Sequence, residues 1–295
     1  VYHNALKHYA KPVANAVGML ADKIIENKGK KIVLVSLARA GIPIGILVKR
    51  YIKFKYGINV PHYSISIIRG RGIDDNAMKY LLEKYRPQQI LFVDGWIGKG
   101  AILNELKKDI SAYEGVSADI AVVADPANVT ELCGTHEDIL IPSSCLNSTV
   151  SGLISRTFLR DDIIGRDDFH GAVYYGELTD SDLSYDFIET IEKEFNMENT
   201  PDLEKRVESQ GIDEVINIGK NFGIDDINLI KPGIGETTRV LLRRIPWKVL
   251  IDERYKGNPQ LEHIVRLAEE KHTPVEYYPL THYKCCGIIK KLADA

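Results

Sequence analysis

In KKIVLVSLARAGIPIGILVKRYIKFKYG an unbroken apolar run, Ile32 to Val35, breaks at Ala38-Arg39-Ala40-Gly41 and resumes with helical spacing at Ile44, Leu47, Val48 and Tyr51. The same strand, loop and helix scheme recurs. PHYSISIIRGRGIDDNAMKYLLEKY carries the apolar stretch Ile65 to Ile68, the loop RGRG and a helix start at Asp74-Asp75-Asn76. ILFVDGWIGKGAILNELKKDI supplies another copy, and SADIAVVADPA a further strand that stops at Asp125-Pro126. Apolar runs without alternation belong to strands covered on both faces, the habit of parallel sheets between helices. The repetition predicts an α/β fold, a doubly wound parallel sheet with right-handed crossovers. A chain of 295 residues, 44% apolar and 27% charged, can bury such a core and a second domain beside it.

In a sheet of this kind the loops after the strands gather along one edge, so Arg39, Arg69, Arg71 and the stretch Asp94 to Gly100 are expected to face one crevice. Glycines let backbone N–H groups approach a phosphate, and a following helix start adds partial positive charge. Arginine forks grip phosphate oxygens in pairs. These features point to a polyphosphate. Asp94 has a different task, since a carboxylate accepts from sugar hydroxyls or meets a divalent cation that bridges to a diphosphate. A ligand with ribose hydroxyls, a 5′-phosphate and a diphosphate satisfies every group named, and phosphoribosyl pyrophosphate is such a molecule. GKG is no P-loop, because the GxxxxGK[ST] spacing is absent.

These segments resemble known ones. The strand-acid-glycine stretch is similar to the ribose-phosphate loop of type I phosphoribosyltransferases, LARAG to their pyrophosphate loop, and RGRG stands where they carry a mobile catalytic loop. More closely, SLARAGIPIG, PHYSISIIRGRGID, FVDGWIGKGA and IPSSCLNSTVSGLISRT resemble a phosphoribosyltransferase-like family found beside tellurite-resistance, stress-response genes and also labelled cysteine protease StiP. The resemblance implies a phosphoribosyltransferase-like fold joined to a Pelota-type RNA-binding domain. It implies that Ala38, Arg39, Ala40, Gly41, Asp94, Gly95, Gly98, Lys99 and Gly100 bind phosphoribosyl pyrophosphate, and that Arg69, Arg71 and Asp94 are catalytic. Mg2+ is the implied cofactor, held by Asp94 indirectly through the substrate. Gly95 replaces the second acid of the transferase pattern, Ile97 or Gly98 stands in place of its threonine, and Lys99 adds a cation.

The segment EDILIPSSCLNSTVSGLISRTFLRDD is rich in hydroxyls and an amide. Ser144, Asn147, Ser148 and Thr149 in it suit the edge of a base, as a hood over the acceptor; a capped helix start is the alternative. Cys145 lies among them, and a thiol protease would need it as nucleophile with His136 or His170 as base. No cysteine-protease signature surrounds it, and a free thiol is ordinarily a small buried apolar group. Cys133, Cys145, Cys285 and Cys286 show neither a disulfide framework nor CxxC spacing.

Charge divides the chain: residues 1–227 carry a formal −7 and residues 228–295 a formal +4. Acids cluster from Gly176 to Glu214, and a polar run surrounds Pro201. The expected division is a first domain at 1–200, a connector at 201–227 and a second domain at 228–295. INLIKPGIGETTRVLLRRIPWKVLIDERYKGNPQLEHIVRLAEEKHTPVEYYPLTHYKCCGIIKKL reads as a glycine turn opening a helix, a strand at Lys248 to Ile251, a helix at Pro259 to Glu270, a strand at Pro274 to Tyr278 and a last helix. This small α/β sandwich resembles the Pelota and kink-turn-binding superfamily. The resemblance assigns RNA contact to Gly233, Gly235, Glu236, Thr237, Arg239 and Arg243.

No apolar run approaches the ~18 residues of a membrane span, and the amino end lacks a signal-peptide layout, so a cytoplasmic protein is expected. The expected activity is formation of an N-glycosidic bond to a base-like acceptor in a stress-response nucleoside pathway. A non-catalytic nucleotide sensor that binds RNA is the alternative from another class. Partners are the sugar diphosphate or a related nucleotide and RNA, with no membrane, and a homodimer is kept open.

Overall fold

The computed structural model describes residues 1–201 and 208–291. Helix α1 (Tyr2–Lys28) precedes a sheet of β1 (Val33–Ala38), β2 (His62–Ile68), β3 (Gly72–Ile73), β4 (Ile90–Trp96), β5 (Ile120–Ala124) and β6 (Cys133–Thr135). Helices α2 (Gly41–Tyr56), α3 (Asp75–Lys84) and α4 (Ala101–Ile110) follow β1, β3 and β4, and α5 (Ser184–Glu192) closes the first domain. The spatial order is β3-β2-β1-β4-β5-β6, parallel throughout except for the β2–β3 hairpin at the edge.

Side-chain alternation sends each central strand's residues to two cores. Leu34, Leu91, Val93, Ala121 and Val123 join α1, α2 and α5 on one face. Val33, Val35, Ile90, Phe92, Ile120 and Val122 join Met78 and Leu81 of α3 and Leu103, Leu106 and Ile110 of α4 on the other. The sheet is therefore covered on both sides, as its uninterrupted apolar strands require. Asp74 caps α3 where its acidic turn suggested, accepting the Ala77 N–H at 3.0 Å. The hydroxyl-rich hood forms short 3-10 turns instead of a regular helix.

The second domain holds α6 (Gly211–Phe222), β7 (Ile230–Pro232), α7 (Ile234–Arg243), β8 (Pro246–Ile251), α8 (Glu262–Glu270), β9 (Val275–Tyr277) and β10 (Cys285–Ile289), with the sheet order β7-β10-β8-β9. Two readings change here. Cys285-Cys286-Gly287-Ile288-Ile289 was expected as a helix and is the central strand: Cys286 and Ile288 face α6 while Cys285 faces α7. A Cβ at Gly287 would stand 3.3 Å from the Thr237 backbone, so the missing side chain lets α7 lie close on β10. The expected connector also contributes structure, because Val215 and Ile218 of α6 pack under Ile230, Leu250 and Ile288. Residues 202–207 lie outside the described part of that stretch.

The two domains share one core. Ile234 and Leu241 of α7 and Ile264 and Leu267 of α8 join the same apolar cluster as Leu140, Ile141 and Cys145 of the first domain. Asp138, buried, fastens the joint by accepting the Ile234 N–H at 2.9 Å and the Lys284 N–H at 2.8 Å.

Candidate functional site

Strands β1 and β4 are neighbours, yet α2 packs on one face of the sheet and α4 on the other. The chain thus leaves the two strands in opposite directions, and a crevice opens beyond their carboxyl ends. Arg39 and Asp94 stand on its two sides. A Cβ at Gly41 would lie 2.5 Å from the Val93 carbonyl oxygen, so glycine is what allows α2 to begin beside β4. The Ala38–Arg39 peptide bond is cis.

Arg39 donates to the Ile154 carbonyl at 3.0 Å and to Asn147 Oδ1 at 3.1 Å, which fixes the hood over the crevice. Burial, then Arg239 and Arg156, hold its guanidinium below the ordinary arginine range. Arg243 is pushed down to about 10 by burial, Arg239 and Arg39. Arginines from both domains therefore crowd one place, and an anion between them would relieve their repulsion.

Asp94 accepts the N–H of Gly95 at 2.7 Å. Burial pushes its carboxyl up to about 7, against the pull of the Gly95 N–H and Arg239 and with the push of Glu236. At neutral pH such a group both holds and releases a proton, the condition a site acid or base needs. A Cβ at Gly95 would meet the Ala40 carbonyl and Ile44 at 3.8 Å, ordinary contacts, so the backbone leaves room where the second acid is missing.

The second domain forms the opposite wall. A cavity of about 10 Å³ at the domain joint is lined by Trp96, Gly98, Asp138 and Ser144 with Gly235 and Glu236. Arg239 bonds Glu236 at 3.0 Å, and its guanidinium lies 5.7 Å from the Trp96 ring centre. Ser144 Oγ is buried and, the neighbouring Cys145 thiol aside, has no hydrogen-bond partner among the described residues. A buried hydroxyl without a partner costs free energy until a ligand supplies one.

Other expected site residues fall elsewhere. Arg69 and Arg71 lie exposed on the β2–β3 hairpin turn, and Arg69 donates to Asn228 at 2.7 Å. Lys99 is directed into the second domain: its Nζ donates to the carbonyls of Ile227 and, at 3.0 Å, Ile230. The Gly98 carbonyl accepts from Tyr283 at 2.6 Å, and Gly100 begins α4 at a φ of 88°. In the hood, Asn147 is exposed, Ser148 buried and Thr149 half-buried.

The residues expected to meet RNA form the joint instead. Gly233, Gly235 and Thr237 are buried, and Arg243 donates to the carbonyls of Ser144 and Leu146 at 3.2 and 2.8 Å. Asp138 occupies the start of α7, where backbone N–H groups would otherwise receive a phosphate. Glu236 and Arg239 face the crevice. Asp138, Arg156 and Tyr283 went unnoticed in the sequence, and no local pattern marks them, because each acts across the domain joint or from the hood.

Cys145 is buried and its thiol is pushed up to about 11 by burial. His170 bonds Ser66 at 2.9 Å, and His136 turns to another thiol: Cys133 Sγ lies 3.4 Å from His136 Nε2, whose Nδ1 stands 2.9 Å from the Asp125 carbonyl oxygen and 3.7 Å from its carboxylate. Asp125, Cys133 and His136 place their ligand atoms within 4.8 Å of one another, the one set of side chains among the described residues grouped tightly enough to share a metal ion. No described helix is long and apolar enough to cross a membrane.

The fold defines a two-domain α/β protein whose candidate site lies at the switch point of the larger sheet, beside the smaller domain. The chain belongs to the family described as tellurite-like stress resistance cysteine protease StiP, whose model matches residues 1–192, and residues 209–291 match the PELOTA RNA binding domain. Cysteine protease StiP of Acinetobacter baylyi is 32% identical, the alignment covering 99% of this chain and 81% of that protein. Among solved structures, a hypoxanthine-guanine phosphoribosyltransferase of Bacillus anthracis is similar over 41% of this chain and 71% of its own, at 18% identity and a TM-score of 0.31. A hypothetical protein from Neisseria gonorrhoeae with bound ppGpp is similar over 38% and 65%, at 16% identity and a TM-score of 0.28.

Proposed function

We propose that the crevice binds phosphoribosyl pyrophosphate or a closely related nucleotide and that the chain is a phosphoribosyltransferase-like enzyme acting in stress resistance. The observation that carries this reading is that Arg39 and Asp94 stand at the carboxyl ends of the paired strands β1 and β4, the sheet's switch point, and that Arg239 of the second domain acts on both. Arg39 and Arg239 would hold the diphosphate, and Asp94 the ribose hydroxyls while positive charge develops on the sugar. The N–H groups that begin α4 would receive the 5′-phosphate. Ser144 and Asn147 would face the acceptor, a nitrogen nucleophile of base-like shape.

Among the described residues the carboxylates near the crevice are Asp94, Glu236 and Asp138, and Asp138 is already taken up by the Ile234 and Lys284 N–H groups, which leaves Asp94 and Glu236. Two carboxylates are too few for an all-protein cage but fit Mg2+, which ordinarily binds through one or two carboxylates, water and substrate phosphates. Bound in that way, Mg2+ would neutralise charge on the departing diphosphate. Incubation with phosphoribosyl pyrophosphate, Mg2+ and a panel of bases tests the reading. Pyrophosphate release that depends on one base supports the enzyme. Tight binding without release supports a sensor, and no binding rejects the ligand.

The match of the second domain supports RNA as a partner. A second catalytic reading comes from Cys133, His136 and Asp125, the thiol, imidazole and carboxylate of a peptidase of the kind the relative's name describes. Cys133 is fully buried, so a peptide would have to part β6 from its surroundings. Peptidase activity lost in Cys133→Ala and kept in Cys145→Ala would support it; activity kept in Cys133→Ala would sink it.

A further inference from the structure

With α7 docked, the helix start of the second domain is closed to RNA by Asp138 and by a core continuous across the joint. The domain keeps another surface open. At the start of β8, Ile245 is 56% and Trp247 39% exposed. Phe222, at the end of α6, lies 6.5 Å from Trp247 at 88° and 5.5 Å from Tyr278, so three rings adjoin without the first two stacking on one another. Lys248 Nζ stands 4.7 Å from the Phe222 ring centre and 5.3 Å from that of Trp247.

The charge around these rings is positive. Arg244 precedes Ile245 and is exposed, and the Lys290 N–H bonds the Ile245 carbonyl at 2.9 Å, which brings exposed Lys290 and Lys291 alongside. Glu276 pairs with Lys248 at 2.5 Å. The basic character extends toward the crevice: burial and then, against Glu236, the charges of Arg69, Arg244 and Arg239 depress Lys231. Rings interleaved with cations suit unpaired bases on a phosphate backbone, because every base offers a face to stack and duplex bases do not.

We propose that Phe222, Trp247 and Tyr278, with Arg244, Lys248 and Lys290, form a platform for single-stranded RNA. This rests on the reading that the second domain binds RNA, and it moves the contact from the buried turn to a surface where Trp247 is exposed and Phe222 and Tyr278 are half-buried. The test uses the full chain, anisotropy of a fluorescein-labelled oligo(U) of about 12 nucleotides, and a duplex of the same length. Trp247→Ala should weaken oligo(U) binding about 5- to 150-fold, the factor to which ~1–3 kcal/mol of base stacking converts. Trp247→Phe should restore most of it. Lys248→Gln should lower the salt slope by roughly 0.7. The chain has two tryptophans, so in Trp96→Phe the remaining indole should be quenched by oligo(U).

An unchanged affinity in Trp247→Ala with unaltered circular dichroism overturns the platform while leaving RNA binding in place, as does loss of binding in Arg239→Gln alone. Trp247→Ala that abolishes self-association and spares RNA binding assigns the face to a second copy and overturns the proposal. Wild-type chain that binds neither RNA rejects the platform and the RNA reading together.

Discussion

Asp94→Asn is expected to stabilise the protein, and only above acid pH. Burial raises the Asp94 carboxyl from 3.8 to about 7. Between roughly pH 4 and 7 the unfolded chain has therefore lost a proton that the native chain keeps, and native stability falls as pH rises through that window. At 1.36 kcal/mol per pH unit the gap corresponds to a ceiling of about 4 kcal/mol, lowered by the solvent that reaches this partly exposed carboxylate. Asparagine fits the same space, accepts the Gly95 N–H through its own oxygen and has no proton to lose. Urea unfolding of both proteins at about pH 3.5, 5.5 and 8 measures the difference. The two should be nearly equal at the lowest pH and diverge in favour of Asp94→Asn at the highest, while its binding of the sugar diphosphate weakens. A stability difference that does not change with pH would refute the raised carboxyl, and with it the case that Asp94 is kept at a cost for its role in the site.

Arg39→Gln removes a charge and the bonds to Ile154 and Asn147, so calorimetric titration with phosphoribosyl pyrophosphate should show about 10- to 150-fold weaker binding, the range of ~1.5–3 kcal/mol for a charged hydrogen bond. Asp138→Ala leaves two buried N–H groups without acceptors and should cost about 2–5 kcal/mol in urea unfolding, with Asp138→Asn between it and the wild type. Gly95→Asp should fold normally, given contacts of 3.8 Å at the new Cβ, and should tighten the sugar diphosphate several-fold if the vacant acid position faces its hydroxyls; an unaltered affinity removes Gly95 from the site.

The sheet was legible because its central strands are apolar on both faces, and Asp74 marked the start of α3 through its capping chemistry. Arg39 and Asp94 were legible for the same reason: topology places whatever follows β1 and β4 at the switch point. Helix α1 escaped notice, since its buried positions Val13, Val17, Leu20 and Ile24 sit among alanines with Pro12 inside the helix. Strand β10 was misread because a stretch of five residues is too short for its period to speak clearly. The wall supplied by Glu236 and Arg239 could not be read at all. Their glycine turn has the composition of an anion seat, and the anion it receives is Asp138, distant by 96 positions along the chain.

A core that runs from the first domain into α7 and α8 makes the halves behave like the subunits of an obligate pair. A fragment that ends before α6 would bare Leu140, Ile141 and Cys145 and strand the Asp138 carboxyl in an apolar patch, conditions that favour precipitation over independent folding. Heating the whole chain should then melt both sheets in a single calorimetric event, and halves produced from separate genes should recover their shape only when made together. For a protein of this layout, cutting between domains to study each alone would destroy the object under study.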